Sequence, residues 1–419
     1  MHKLIMTLLA VIAFVPQTFA LNMDEAVQTA LENNYEVLYN KHLELSSKYN
    51  AEVAKTPYLP QLDTGYTFTD SSEKAYGNSA EDQYSRFDLT VGYNLFNGFS
   101  DKYDLKAAKL SYKAQKHNTN AVKQDIALSV KKAYIDVLAA MDGVIVAENA
   151  YKLLENQLKD IKLSYEVGYV AKNEVLKVEA ELASSVQSVL SAKSDVKLAV
   201  FALEKLMNKQ IAESENFAQI NDYSDSMGDF EVLKADMMKN RSEIKYLKSL
   251  IEAKGFNIKS TKGGYYPKVN LGASYYSYGE DFSPSNRDYA YDDETVLSVK
   301  VDMNLFDGFS KMNTTRSLSA EKMSMMHNLS NVKSEMTLQL KNALENFDLA
   351  NASLTAAEKE LTSAKENYRI TQNQFKQKVA TNTDLMDARV MLTRAENTYN
   401  NAKFNIHRAV ADVERITEK

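Results

Sequence analysis

The chain has 419 residues, including 25 Tyr and 16 Phe, but it contains no Cys, no Trp, only 5 Pro and only 13 Gly. The missing Cys excludes disulfides, Cys-ligated zinc, a thiol nucleophile and acylation of an N-terminal Cys, and the formal charge of −6 offers no basic excess for nucleic acid. Because Pro and Gly dominate turns, their scarcity predicts long, uninterrupted secondary-structure elements.

Residues 1–20 have the pattern of a secretory signal peptide. Lys3 supplies a positive start, Leu4 to Val15 form an apolar run, and Thr18-Phe19-Ala20 has the small-residue pattern of a cleavage site. The alternative is an N-terminal membrane anchor, but a spanning helix needs roughly 20 apolar residues and this run is shorter. We therefore expect cleavage before Leu21 and export from the cytoplasm.

The remaining sequence is a tandem duplication, which predicts two copies of one structural unit. The segment Tyr58-Leu59-Pro60-Gln61-Leu62 returns as Tyr265-Tyr266-Pro267-Lys268-Val269. Further along, Asn94-Leu95-Phe96-Asn97-Gly98-Phe99-Ser100 returns as Asn304-Leu305-Phe306-Asp307-Gly308-Phe309-Ser310. We assign residues 21–208 to the first repeat, 209–229 to a linker and 230–419 to the second repeat.

Each repeat is predicted to contain a helix, a β-hairpin, a long helix and a shorter helix, in this order. In the first repeat the predicted bounds are Met23 to Lys55, 61–96, 101–165 and 173–208. In the second repeat they are Phe230 to Lys262, 268–305, 311–375 and 383–417. Pro57, Pro60 and Pro267 stand where the first helix of a repeat gives way to a strand, since proline is disfavoured inside a helix.

Heptad patterns of apolar residues run through the long and short helices. In the first repeat one heptad seam runs from Ile126 to Tyr165 and a second runs from Val175 to Leu206. Both seams recur in the second repeat, from Met336 to Phe375 and from Leu385 to Ile416. Each repeat is therefore predicted to end in a long antiparallel helical hairpin.

The predicted strands alternate apolar and polar residues with a period of two. Strands of a soluble β-sandwich also alternate, so that interpretation stays open on alternation alone. Four strands cannot close a barrel, however, because the smallest filled barrels need about eight. Several chains would share one barrel, with the apolar strand faces toward lipid. The polar faces, toward the lumen, would carry Arg86, Asp88, Lys300 and Asp302.

Over its whole mature length the sequence resembles the TolC-like outer-membrane efflux proteins. Four features carry the resemblance: Asn22-Met23-Asp24-Glu25-Ala26-Val27, Pro57-Tyr58-Leu59-Pro60-Gln61-Leu62, the two Leu-Phe-Asn/Asp-Gly elements and Tyr165-Glu166-Val167-Gly168. The resemblance implies a mainly α fold with a membrane β-barrel, in which four strands per chain contribute to a shared, trimeric, twelve-stranded barrel. It also implies that the barrel lies in the outer membrane of a Gram-negative-type bacterium and that the coiled-coil hairpins form a tunnel in the periplasm.

The same resemblance implies the partners. They are two further copies of the chain in a homotrimer, outer-membrane lipid, a periplasmic adaptor protein and an inner-membrane transporter of RND or ABC type. Many relatives are lipid-anchored at an N-terminal Cys, or carry Pro where Asn94 and Asn304 stand, and this chain departs from both patterns. No spacing predicts a metal site, a phosphate-binding glycine loop or a nucleophile elbow, so neither a cofactor nor enzymatic activity is predicted.

A gate at the helix tips is a further implication of the resemblance. The tips, at Gly168 and Lys378, would contact the adaptor, and the constriction would be formed by Glu174, Asp384, Asp387, Lys378, Tyr165 and Phe375. The alternative for the acidic residues is that they complement the dipole at the start of a helix. One relative locks its tips with an Arg that falls on Ala380 here, which leaves open whether Lys378 replaces it.

Two functional hypotheses follow from the sequence. The leading one is a passive outer-membrane exit duct of a tripartite efflux or type I secretion system, gated at the periplasmic helix tips. The alternative is a periplasmic or surface coiled-coil structural protein without a channel.

Overall fold

A computed structural model describes residues 20–70, 83–212, 215–220, 226–285 and 291–418. The predicted signal peptide lies outside the described residues except for Ala20. Parts of the loops that join the strands of each hairpin, and parts of the predicted linker, also lie outside them.

The two repeats contain the same series of elements. The first comprises α1 (Met23–Asn33), α2 (Tyr35–Val53), β1 (Gln61–Asp70), β2 (Gln83–Asn97), α3 (Ser100–Glu166) and α4 (Lys172–Met207). The second comprises α5 (Phe230–Asn240), α6 (Ser242–Gly263), β3 (Lys268–Gly279), β4 (Asp293–Asp302), α7 (Ser310–Lys376) and α8 (Asn382–Thr417). The mainly α class with a four-stranded antiparallel sheet is thereby confirmed. Among the described residues, no helix combines the length and apolarity that a membrane span requires.

The first helix of each repeat is broken where the sequence predicts continuity. Asn34 interrupts the helix predicted from Met23 to Lys55, because its backbone is extended, with ψ of 129°. Its side-chain oxygen accepts the backbone N–H of Glu36 at 2.9 Å and so caps α2, while its amide donates to the Leu206 carbonyl at 2.8 Å. Arg241 occupies the corresponding break between α5 and α6. At the other end of the second repeat's hairpin, β4 ends at Asp302 rather than at the predicted residue 305.

The chain divides into two compact units. The first unit comprises Met1–Leu38, Lys123–Lys234 and Gln339–Lys419, and it contains the turns at the ends of both helical hairpins. The second unit comprises Tyr39–Val122 and Ala235–Leu338, and it contains the whole sheet.

The sheet of the second unit joins the two repeats. Its strand order is β1-β2-β3-β4, with every neighbouring pair antiparallel. One face is polar, where Arg86 lies 3.5 Å from Asp88 and Lys300 lies 3.2 Å from Asp302. The alternate residues are large, apolar and exposed: on β4 these are Leu297, Val299 and Val301, with exposed fractions of 80%, 71% and 63%.

Glycine is required at the corner between β2 and α3. Gly98 has a φ of +61°, and a Cβ built on it would lie 2.0 Å from the carbonyl oxygen of Gly263. The next residue, Phe99, also has a positive φ, and Gly308 and Phe309 repeat this pair of angles at the corner before α7. The duplicated Leu-Phe-Asn/Asp-Gly-Phe sequence therefore encodes one turn geometry twice.

The heptad seams form the core of the first unit. Leu154, Ile161, Val175 and Val178 pack together where α3 meets α4. A second cluster joins α7 to α8 and consists of Phe347, Ala350, Leu354, Ala357, Ala402, Ile406 and Ala409. Each large side chain buried in this way contributes about 1.5–3 kcal/mol relative to its exposed state.

Candidate functional site

The two helix tips of the first unit share one backbone geometry. After α3, the N–H of Gly168 donates to the Tyr165 carbonyl at 2.9 Å, and after α7 the N–H of Lys378 donates to the Phe375 carbonyl at 2.9 Å. Both turns need a left-handed residue, with φ of +78° at Gly168 and +64° at Lys378. A left-handed conformation costs a residue with a Cβ about 1–2 kcal/mol, so Lys378 is held there by other contacts.

A cation–π contact joins the tip of the first repeat to the tip of the second. Lys378 Nζ lies 3.3 Å from the centroid of the Tyr169 ring. Lys378 is one of the predicted site residues, whereas Tyr169 was missed. The sequence signal that could have identified Tyr169 is its position as an aromatic residue directly after Gly168. In the structure its side chain is 66% exposed.

A hydrogen-bond chain makes a second connection between the tips. The buried Gln157 of α3 donates its amide to Asn382 Oδ1 at 2.7 Å, and Asn382 Nδ2 donates to Glu174 Oε2 at 3.0 Å. The other carboxylate oxygen of Glu174 lies 2.8 Å from Lys177 Nζ. These bonds from Lys177 and then from Asn382 lower the pKa of Glu174 from its ordinary value. Glu174 therefore links α4 to α8 as an ionised acceptor.

Asp384 is engaged in capping its own helix. Its carboxylate accepts the Thr381 backbone N–H at 2.8 Å and the Thr381 hydroxyl at 2.7 Å, while Thr381 Oγ1 accepts the Asp384 N–H at 3.2 Å. This reciprocal pair is a capping box. The Thr381 hydroxyl and N–H lower the pKa of Asp384. Asp387, one turn further along α8, is exposed.

The two aromatic residues before the turns occupy different surroundings. Phe375 is half-buried and packs against the cluster of Leu154, Ile161, Val175 and Val178. Tyr165, its counterpart in the first repeat, is 43% exposed. The repeat symmetry of the sequence therefore does not extend to the packing of these side chains.

A cavity of about 540 Å³ opens between the two tips. Three of the predicted residues line it, namely Glu174, Phe375 and Lys378, together with Tyr169 and Asn382. Tyr165, Asp384 and Asp387 are not among its lining residues. In the described parts of the chain, no group of three or more His, Asp and Glu side chains is arranged to hold a metal ion.

Ion pairs also tie α8 to the helices of the first repeat. Arg408 lies 2.6 Å from Asp136, and Lys403 lies 3.0 Å from Asp142. Arg389, which is nearly fully buried, lies 3.3 Å from Glu181 of α4. These pairs join the helices along their length, away from the tips, whereas the Lys378 and Asn382 contacts join the tips themselves.

Comparison with known families accounts for nearly the whole described chain. The model of the outer membrane efflux protein family matches residues 26–209 and 235–417, which correspond to the two repeats. The outer membrane efflux protein BepC of Brucella suis biovar 1 is 23% identical over 229 residues, covering 54% of this chain and 48% of BepC. The outer membrane protein TolC of Escherichia coli K12 is 20% identical over 363 residues, covering 84% of this chain and 73% of TolC. The chain thus aligns with about half the length of BepC.

Solved structures share the fold. The CusC structure superposes with a TM-score of 0.81 at 14% identity, covering 96% of this chain and 93% of CusC. The Campylobacter jejuni CmeC outer membrane channel gives a TM-score of 0.82 at 14% identity, covering 94% of this chain and 85% of CmeC.

Proposed function

The chain belongs to the outer membrane efflux protein family, and we propose that it is the passive exit duct of a tripartite efflux or type I secretion system. In this proposal three copies form a channel-tunnel, with the strands in the outer membrane and the helices in the periplasm. A cleavable signal peptide directs export of the chain.

The observation that carries the proposal is the open, two-faced sheet. Among the described strands, β1 and β4 each have a single neighbour, and an unpaired strand edge is a template for pairing with another chain. Three chains bring twelve strands, which exceeds the roughly eight of a filled barrel and leaves a lumen. The exposed apolar face, with Leu297 and Val299, then meets lipid, and the charged face lines the channel.

The tips act as the gate in this proposal. The Lys378–Tyr169 contact and the Gln157–Asn382–Glu174 chain hold the two repeats together at one end of the helices. Opening requires these links to break, while Asp387 remains available to charge the entrance. The cavity between the tips receives part of a periplasmic adaptor, which connects the duct to an inner-membrane transporter of RND or ABC type.

Conductance tests the duct. The purified protein is expected to migrate as a heat-modifiable trimer on a semi-native gel. Reconstituted in planar lipid bilayers, it is expected to give discrete single-channel currents. The alternative, a periplasmic or surface coiled-coil protein, would be released as a folded, soluble protein by osmotic shock and would give no currents, and that result would overturn the proposal.

Cross-linking in cells tests the adaptor. A photo-reactive residue at Gly168 or Lys378 is expected to capture a periplasmic protein that also co-purifies with an inner-membrane transporter. The same probe at Lys193, which pairs with Glu148 at 2.9 Å along the helices, serves as the control. Equal capture from both places would contradict docking at the tips.

A further inference from the structure

An aromatic platform flanked by two lysines lies beside the sheet in the second unit. The rings of Tyr103 and Phe256 stack with their centroids 6.1 Å apart and their planes at 23°. Lys259 Nζ lies 5.2 Å from the Phe256 centroid and 5.8 Å from the Tyr103 centroid, and Lys106 Nζ lies 5.2 Å from the Phe256 centroid. Both lysines are exposed. Two cations are thus held against one apolar surface.

We propose that Lys106, Lys259 and the Tyr103–Phe256 platform bind the headgroup phosphate of an anionic phospholipid in the periplasmic leaflet of the outer membrane. The inference rests on the proposed function, in which the strands cross the membrane and the helices do not.

The position of the cluster along the chain agrees with headgroup depth. Lys106 lies in the second turn of α3, which starts at Ser100, and Lys259 lies one turn before α6 ends at Gly263. With a rise of 1.5 Å per residue, both lysines lie about 6–9 Å from the strand–helix corners. A full bilayer of about 40–45 Å has a hydrocarbon core of about 30 Å, which leaves a headgroup layer of about 5–8 Å on each side. The distance of the lysines from the corners is similar to the thickness of this layer.

Exposed aromatic residues mark the same boundary. Phe99, Tyr265, Tyr266, Phe306 and Phe309 stand at the corners with exposed fractions between 49% and 72%. Tyr rings, which combine an apolar body with a polar hydroxyl, suit the zone between lipid and water, and the Phe rings extend the apolar surface beside it. The two lysines follow directly behind this zone, on the helical side, where phosphates lie.

The local charge is complementary to a phosphate. From Ala253 to Gly279 the chain carries four lysines and no acidic residue. Lys254 is paired with Glu321 at 2.7 Å, which leaves Lys259, Lys262 and Lys268. In the first two turns of α3, Lys102 and Lys106 balance Asp101 and Asp104, so the positive excess comes from the lysines at the end of α6. Asp101 is held by the side-chain amides of Asn94 at 2.7 Å and Asn97 at 3.1 Å. A ring occupies one side of each ammonium group, which leaves N–H donors for phosphate oxygens. Basic side chains at this depth each contribute to anionic lipid binding.

The equivalent corner of the second repeat is arranged differently. There Lys311 Nζ lies 5.7 Å from the Tyr265 centroid but only 3.6 Å from the Asp307 carboxylate. The aspartate compensates Lys311, and Arg316, the counterpart of Lys106, is the exposed cation in the second turn of α7. The stacked rings with two lysines lie where α3 meets α6, and we place one lipid site per chain there.

Native mass spectrometry of the purified full-length protein tests the site, with palmitoyl-oleoyl phosphatidylglycerol and the zwitterionic phosphatidylcholine as probes. The wild type is expected to retain phosphatidylglycerol preferentially, and K106Q/K259Q to bind it more weakly by at least tenfold, because each lysine adds attraction near the surface. K106R/K259R keeps both charges and should retain binding. K159Q/K359Q removes two exposed lysines of the first unit as a matched control and should also retain it.

Three results would overturn the inference: equal phosphatidylglycerol affinity in the wild type and K106Q/K259Q, no preference over phosphatidylcholine, or displacement of the lipid by inorganic phosphate alone. Bilayer conductance of the same preparations separates the two proposals. Wild-type currents in K106Q/K259Q with unchanged lipid retention would reject only the lipid site. A wild type without currents would reject the duct itself.

Discussion

Lys378 Nζ lies 3.3 Å from the centroid of the Tyr169 ring and so joins the helix tips of the two repeats. The lysine occupies the left-handed position that Gly168 fills in the first repeat. A glycine would relax that backbone but could not reach the ring. In the second repeat the turn therefore contains a strained backbone residue, and the side chain of that residue makes a contact with the first repeat.

Removing this contact should favour opening of the proposed gate. A cation–π pair at an exposed site contributes about 0.5–1 kcal/mol, so K378M and Y169A should each raise the open probability in planar bilayers severalfold. The double variant should add little to either single variant, because both remove the same interaction. K378G separates the two effects, since it relieves backbone strain of about 1–2 kcal/mol while still losing the contact. Strictly additive effects, or an equal response to K376Q at an exposed neighbour, would contradict the link.

Asn382 should matter more than any surface residue of the tips. N382A leaves the buried Gln157 amide and the Glu174 carboxylate without this partner, and an unsatisfied buried group costs about 1–3 kcal/mol. We expect a lower unfolding free energy and a larger mean conductance. N401A, at an exposed position of the same helix, is the control and should behave as the wild type.

The Glu174 link should withstand mild acid. Hydrogen bonds from Lys177 and Asn382 lower the folded-state pKa of Glu174 from its ordinary value of 4.5, so its stabilisation is fully present above that value and is lost as pH falls through the lowered folded-state pKa. Conductance measured against pH should thus stay low down to 4.5 and rise only in stronger acid. An E174Q variant should lose this acid response, and gate opening near neutral pH would argue against the assignment.

Asp384 and Asp387 should respond differently to loss of charge. D384N weakens the capping box with Thr381, and loss of a cap typically costs about 1 kcal/mol of helix stability. D387N removes an exposed charge without disturbing a cap, so it should reduce cation selectivity with little effect on unfolding. Reversal potentials in a salt gradient, together with urea unfolding, distinguish the two. Unchanged selectivity in the D384N/D387N double variant would exclude an acidic entrance.

Tyr134 should anchor Leu21, which lies just before α1, to the segment between the repeats. Its hydroxyl lies 2.7 Å from the Leu21 carbonyl oxygen and 2.8 Å from that of Ala218. Y134F should lower the unfolding free energy by about 1–3 kcal/mol, whereas Y151F should not. Burial raises the pKa of Tyr134 to about 12, so this stabilisation is present below the ordinary pKa of 10.0 and is lost as pH rises through the folded-state value. The stability difference between wild type and Y134F should therefore shrink in strong alkali.

Gly98 should tolerate no side chain. In G98A the new Cβ would lie 2.0 Å from the Gly263 carbonyl oxygen, and the backbone has a positive φ. We expect loss of the proposed heat-modifiable trimer on semi-native gels. G143A is the matched control, because a Cβ there meets nothing within 4 Å and alanine gains about 1 kcal/mol over glycine inside a helix. Normal assembly of G98A would show that the corner can rearrange.

The helix break at Asn34 shows where sequence patterns stop being sufficient. Heptad spacing predicts α3, α4, α7 and α8 well, because the spacing is a property of each helix by itself. The Asn33-Asn34 pair is a capping signal, but only the reach of the Asn34 amide to the Leu206 carbonyl makes a break favourable there.

By itself, the sequence determined the duplication, the order and type of the elements and the polarity of the strand faces. Those features arise from local periodicity and from backbone limits such as that at Gly98. The tertiary structure alone decided which tip residues meet: Lys378 with Tyr169, and Asn382 with Gln157 and Glu174. Such contacts join residues from different repeats, and they depend on the axial register and rotation of packed helices, which a repeating pattern of apolar residues leaves undetermined.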